Sequence, residues 1–80
     1  MNYMKKIKVN LDSIDKVKKF NQIAFKQDFE IDVVSGRYNV DAKSLMGIFS
    51  LNLAEPITVV LHTDDEAKID KVEKEFNELQ

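Results

Sequence analysis

The sequence predicts an α+β domain of order βαββαβα, an open-faced β-sandwich in which an antiparallel four-stranded sheet carries its helices on one face. Three observations predict it. Four segments alternate apolar and polar residues with period two, the mark of a half-buried strand. Two longer segments repeat apolar residues at three- and four-residue spacing, the mark of an amphipathic helix. Each strand has a single apolar parity, so only one face of the sheet calls for a cover.

The elements follow in order. Tyr3, Lys5, Ile7, Val9 and Leu11 share one parity against Lys6, Lys8 and Asn10, which makes the first strand. Asp12 or Ser13 can cap a helix whose apolar face is Ile14, Val17, Phe20, Ile23 and Ala24, running to about Lys26. Phe29, Ile31 and Val33 alternate with Glu30 and Asp32, Ser35-Gly36 interrupts, and Tyr38, Val40 and Ala42 resume. This is a hairpin in which Gly36 supplies positive φ. A short helix starts near Ser44 and ends before Pro56, and Ile57, Val59 and Leu61 form the fourth strand. Thr63-Asp64-Asp65-Glu66 reads as a capping box for a last helix that turns Ile69, Val72, Phe76 and Leu79 to one side. Lys6, Lys8, Glu30, Asp32, Thr58 and His62 are expected in water on the uncovered face of the sheet.

The chain has 80 residues, 44% of them hydrophobic and 32% charged, ordinary values for a soluble globular fold. One domain, 1–80, is expected. A chain this short exposes much of its surface and encloses no deep cavity, so an enzyme is not expected. Without cysteine there are no disulfides, thiolate metal sites or thiol nucleophiles, which suits the cytoplasm. No apolar run approaches the roughly 20 residues that span a bilayer. The net charge of −2 argues against general nucleic-acid binding, although seven lysines and two acids fall before Gln27. Lys16, Lys18 and Lys19 are read as a solvated helix face that meets the acids of another helix.

Little in the chain calls for catalysis or cofactors. His62 is the single histidine, sits on the solvent parity of its strand, and is assigned no role, because a base or ligand needs partners placed around it. Asp64-Asp65-Glu66 is the only dense acidic run and is read as a helix start, so no metal is expected. With only Gly36 and Gly47 there is no glycine-rich phosphate loop.

One segment, Asp41 to Leu51, carries more apolar residues than a single buried face requires. On a helix starting at Ser44, Ile48 and Leu51 point inward and leave Leu45, Met46 and Phe49 on the other side, with Gly47 baring backbone between them. Two readings stand side by side. Either these residues are all core in a short buried helix, with Gly47 permitting close packing, or Lys43, Leu45, Met46, Gly47 and Phe49 form a docking patch for a protein partner. Ser44 is an N-cap in both.

The run Lys43-Ser44-Leu45-Met46-Gly47-Ile48-Phe49-Ser50-Leu51 closely resembles the segment around the regulatory serine of HPr, the small phosphocarrier of the bacterial sugar phosphotransferase system. The element order matches as well. The resemblance extends from about Ser35 through Phe76 and is weak before Phe29. In that family an active histidine sits where the first strand meets the first helix, followed two residues later by an arginine that steadies its phosphate. Here Ser13 falls at the histidine position and Asp15 at the arginine position. A serine ester is stable where a phosphohistidine is labile, and the aspartate repels an incoming anion, so histidine phosphotransfer is expected to be absent.

The resemblance then implies the family's other role, a regulatory or adaptor protein switched by a kinase at Ser44. Phosphate there would sit at a helix N-terminus with Lys43 beside it. The implied partners are a regulator, a transporter component or a serine kinase of the phosphotransferase system, with no nucleic acid and no membrane. The competing fold of similar order is the ferredoxin-like sandwich of small amino-acid-binding regulatory domains. It needs a long helix between the third and fourth strands, where only about Ser44 to Asn52 is available.

Overall fold

In the computed structural model, which describes residues 5–80, the elements come in the expected order. They are β1 (Lys5–Val9), α1 (Ile14–Phe25), β2 (Glu30–Ser35), β3 (Tyr38–Asp41), α2 (Leu45–Phe49), β4 (Ile57–His62) and α3 (Glu66–Asn77). Tyr3, counted by parity with the first strand, lies outside the described residues. The strands form one sheet in the order β1-β4-β2-β3, and every neighbouring pair is antiparallel.

Period-two alternation sets the register. Ile7, Val59, Val33 and Val40 lie in one row across the four strands, and the row beside it holds Leu61 and Ile31. These residues face the helices. Val17, Phe20 and Ala24 of α1 and Val72 and Phe76 of α3 close over them, all without exposed surface. The Phe20 and Phe76 rings meet at 4.6 Å between centroids with planes tilted by 31°, joining the two long helices above the sheet. The tight return from β2 to β3 places Ser35 opposite Tyr38 and depends on Gly36, whose φ of 60° is open to glycine at little cost. A positive φ at the first of two loop residues is what a type II′ hairpin turn requires.

Four local expectations are corrected. The first strand stops at Val9, because the pairing with β4 ends there and the Asn10 N–H donates instead to Gln80 Oε1 at 2.8 Å; Leu11 is buried beyond the strand. Ile14 does not join the buried face of α1, for as the first helical residue it overhangs the core and is 65% exposed. The last helix is capped by Asp65, whose side chain accepts from Lys68 N–H, while Thr63 Oγ1 accepts from Asp65 N–H in a preceding turn. Aspartate caps as well as a hydroxyl residue does, so the nearer acid takes the place. On the uncovered face of the sheet, Asp32, Thr58 and His62 are half-buried and Val60 is buried, because they stand on the two central strands with neighbours on either side.

Candidate docking site at the first and second helices

Two serines mark the starts of two helices. Ser13, between β1 and α1, has extended backbone (φ −148°, ψ 155°), and its Oγ accepts from Lys16 N–H at 3.1 Å. It is exposed, as are Asp12 and Asp15. The Lys16 ammonium lies 2.9 Å from Asp12 and the Lys19 ammonium 3.7 Å from Asp15. Hydrogen bonding and charge from Lys16 hold the Asp12 carboxyl below the usual carboxylate range. Lys16 and Lys19 are thus engaged with the acids of the helix start.

Ser44 caps α2 in the same manner, with Oγ accepting from Gly47 N–H at 3.2 Å and its carbonyl accepting from Ile48 N–H at 3.1 Å. Its side chain is exposed. Lys43 sits differently from the sequence expectation. Its N–H donates to Asp41 Oδ1 at 2.8 Å, and its ammonium donates to the Gln27 carbonyl at 3.0 Å, pinning the start of α2 to the end of α1. With α2 only five residues long, the field at Ser44 comes from the free amides of one turn and not from a long helix dipole.

The α2 side chains divide between the two readings. Ile48 is fully buried and Leu51 nearly so. Leu45 is half-buried and packs against the core, because it faces inward at the top of the turn. Gly47 is half-buried, and a Cβ on it would stand 3.1 Å from Ser44 Oγ and 3.3 Å from Val40 Cβ. Its lack of a side chain therefore serves close packing of α2 on β3. Met46 and Phe49 remain outside, 79% and 38% exposed.

Between the start of α1 and the far end of α2 runs a groove of about 350 Å³, lined by Leu11, Ser13, Ile14, Val17, Phe49 and Leu53. The sequence reading of the patch did not include Ile14 or the loop residue Leu53. Periodicity could not separate Ile14 from the core, since its spacing to Val17 is the same whether or not the sheet reaches that far. Ser13, where the resemblance sets the family's histidine, and Phe49, one residue of the expected patch, line the same groove.

His62 has a partner that the sequence reading did not assign. Its Nε2 lies 2.8 Å from Asp32 Oδ2, on neighbouring strands and far in sequence. The shared parity of the two residues was visible; the adjacency of β2 and β4 was not. No group of three potential metal ligands occurs among the described residues, and no helix among them is long and apolar enough to cross a membrane.

No family model matches the chain, and no curated protein matches it significantly. Solved structures do. The phosphocarrier protein HPr from Bacillus anthracis str. Ames superimposes with a TM-score of 0.68 at 25% identity, covering 94% of this chain and 96% of that one. HPr-C-His from Thermoanaerobacter tengcongensis gives 0.67 at 26% identity over the same shares. The chain has the HPr fold. The ferredoxin-like alternative is set aside with it, since the five residues of α2 are no long crossover helix. The element order and the one-sided antiparallel sheet predicted from apolar periodicity are those of the HPr fold over nearly the whole chain.

Proposed function

We propose that this chain is an HPr-like regulatory or adaptor protein of the phosphotransferase system that docks on protein partners through the α1–α2 surface and does not relay phosphate. The observation that carries this reading is the groove itself: on an HPr fold, an apolar cleft bordered by exposed Ile14 and Phe49 opens beside Ser13, and Met46 is exposed on the same short helix as Phe49. An apolar cleft with a polar rim, beside a helix that exposes a flexible methionine, has the make-up of a protein contact surface.

Ser13 stands where β1 meets α1, the place of the family's histidine. Its hydroxyl caps the helix, and the nearby carboxylates of Asp12 and Asp15 oppose an incoming phosphoryl group. A serine ester formed there would not pass its phosphate on. Ser44, exposed at the start of α2, is the candidate for modification by a serine kinase. Phosphate on it would add charge at the start of the helix that exposes Met46 and Phe49 and change which partner the patch accepts.

The test is chemical-shift mapping on the isotope-labelled chain, titrated with purified phosphotransferase-system proteins on which HPr docks. Perturbations are expected at Ser13, Ile14, Met46 and Phe49. Binding with perturbations confined to other faces, or no binding to any of them, refutes the proposal.

A further inference from the structure

All three helices pack on the face that carries Ile7, Val59 and Val33, so no described element covers the opposite face of the sheet. Its outward side chains are ordered by charge along the strand order. One row reads Lys6, Val60, Asp32, Asp41 from β1 to β3. Lys8 heads the next row, which ends at Asn39, and His62 stands opposite Glu30 in the third. The β1 edge of this face is basic, the β2–β3 side acidic, and the middle holds Val60 and half-buried Val34.

We propose that this face binds a second copy of the chain, with a two-fold axis parallel to the strands and passing between β4 and β2. Two orientations of such an axis bring the faces together. An axis across the strands lays β1 on β1, so lysine meets lysine and acid meets acid. An axis along the strands lays β1 over β3 of the second copy and β4 over its β2. Lys6 then faces Asp41 of the second copy, His62 faces its Glu30 and Lys8 faces its Asn39, each contact occurring twice. Charge selects the second arrangement. Val34 and Val60 flank the axis, where Val60 faces Asp32 and Val34 faces Thr58 of the second copy.

Four strands about 4.8 Å apart and five residues long at about 3.4 Å each give roughly 300 Å² of face per copy. That is well below the roughly 800 Å² per partner of a stable complex. The dimer is accordingly weak, populated at high concentration and sensitive to salt.

Sedimentation equilibrium of the full chain at about 1 mM, in the range that detects weak association, provides the test. At about 0.01 M salt the average mass should rise above the 9.3 kDa of one chain and should fall back at about 1 M, where the screening length is about 3 Å. Lys6→Glu and Lys8→Glu should weaken association. Asn39→Asp should tighten it about threefold, since it places an acid opposite Lys8 twice over. This last variant decides the matter, because it makes the net charge more negative and general repulsion would weaken association instead. A mass of 9.3 kDa under all conditions, or an Asn39→Asp variant that associates less, overturns the proposal. Association abolished by Met46→Asp would place the contact on the α1–α2 surface and overturn it equally.

Discussion

Replacing Ser44 separates a structural cap from a regulatory switch. In Ser44→Ala the Gly47 N–H loses the Oγ acceptor 3.2 Å away, and the amide turns to water because the helix start is exposed. The loss is about 1 kcal/mol, the ordinary worth of an N-cap. For a domain of this size that is a fall in Tm of about 4–8 °C. Ser44→Asp should recover most of it, since aspartate caps as well as serine does. Thermal unfolding followed by circular dichroism measures both. If Ser44 is also a switch, incubation with purified HPr kinase and ATP should add one acid-stable phosphate to the wild type and none to Ser44→Ala. Affinity for a docked partner should then move by about tenfold, or about 1.4 kcal/mol. An unchanged Tm in Ser44→Ala would refute the capping geometry. No incorporation into the folded wild type would refute the switch and leave an unregulated docking domain.

Further predictions follow from particular contacts. Met46→Asp should leave stability within about 0.5 kcal/mol, as expected for a side chain that is 79% exposed, yet abolish partner binding in calorimetry; a large fall in Tm would show that Met46 is core. Phe76→Ala removes the ring packed on Phe20 and should cost about 3–5 kcal/mol by denaturant titration, enough to unfold much of a small domain. The Lys68 ammonium, 2.7 Å and 2.8 Å from the two oxygens of Asp28, holds that carboxyl below its usual range, as Lys16 does for Asp12. Because the folded values lie below the unfolded one, these pairs stabilise above about pH 3.9 and their contribution disappears as the pH falls through the lowered values. Asp28→Asn should therefore flatten the acid limb of the stability profile, while an unchanged limb would contradict the pairing. Lys68 is raised by the same contact, so its share is present below about pH 10.4 and disappears as the pH rises through the raised value.

The fold was legible wherever one physical rule decided the pattern. Alternation in Ile7–Val9, Ile31–Val33 and Ile57–Leu61 marks strands buried on one side, and the 36-residue position needs glycine because the hairpin demands positive φ there. Ser44 was legible as a cap because it precedes an apolar run, while Ser13 was one of two candidates with Asp12 and the structure selects it. What stayed hidden depends on where elements end in space. Ile14 has the spacing of a core residue but overhangs the sheet, and Leu45 has the spacing of a patch residue but packs inward. Lys43 looked free for an anion, yet its ammonium reaches the Gln27 carbonyl across a turn that sequence spacing does not reveal. The Asp32–His62 contact required the adjacency of β2 and β4, which follows from strand order and not from parity.

Absence of phosphate relay is tested most directly by incubating the purified chain with the first enzyme of the phosphotransferase system and phosphoenolpyruvate carrying labelled phosphate. Ser13 at the junction of β1 and α1, capped onto Lys16 N–H and flanked by Asp12 and Asp15, predicts that no acid-labile phosphate appears on the chain while an authentic HPr in the same mixture is labelled. Acid-labile label on this chain would contradict the docking-only function and would direct attention to His62, the one imidazole it carries.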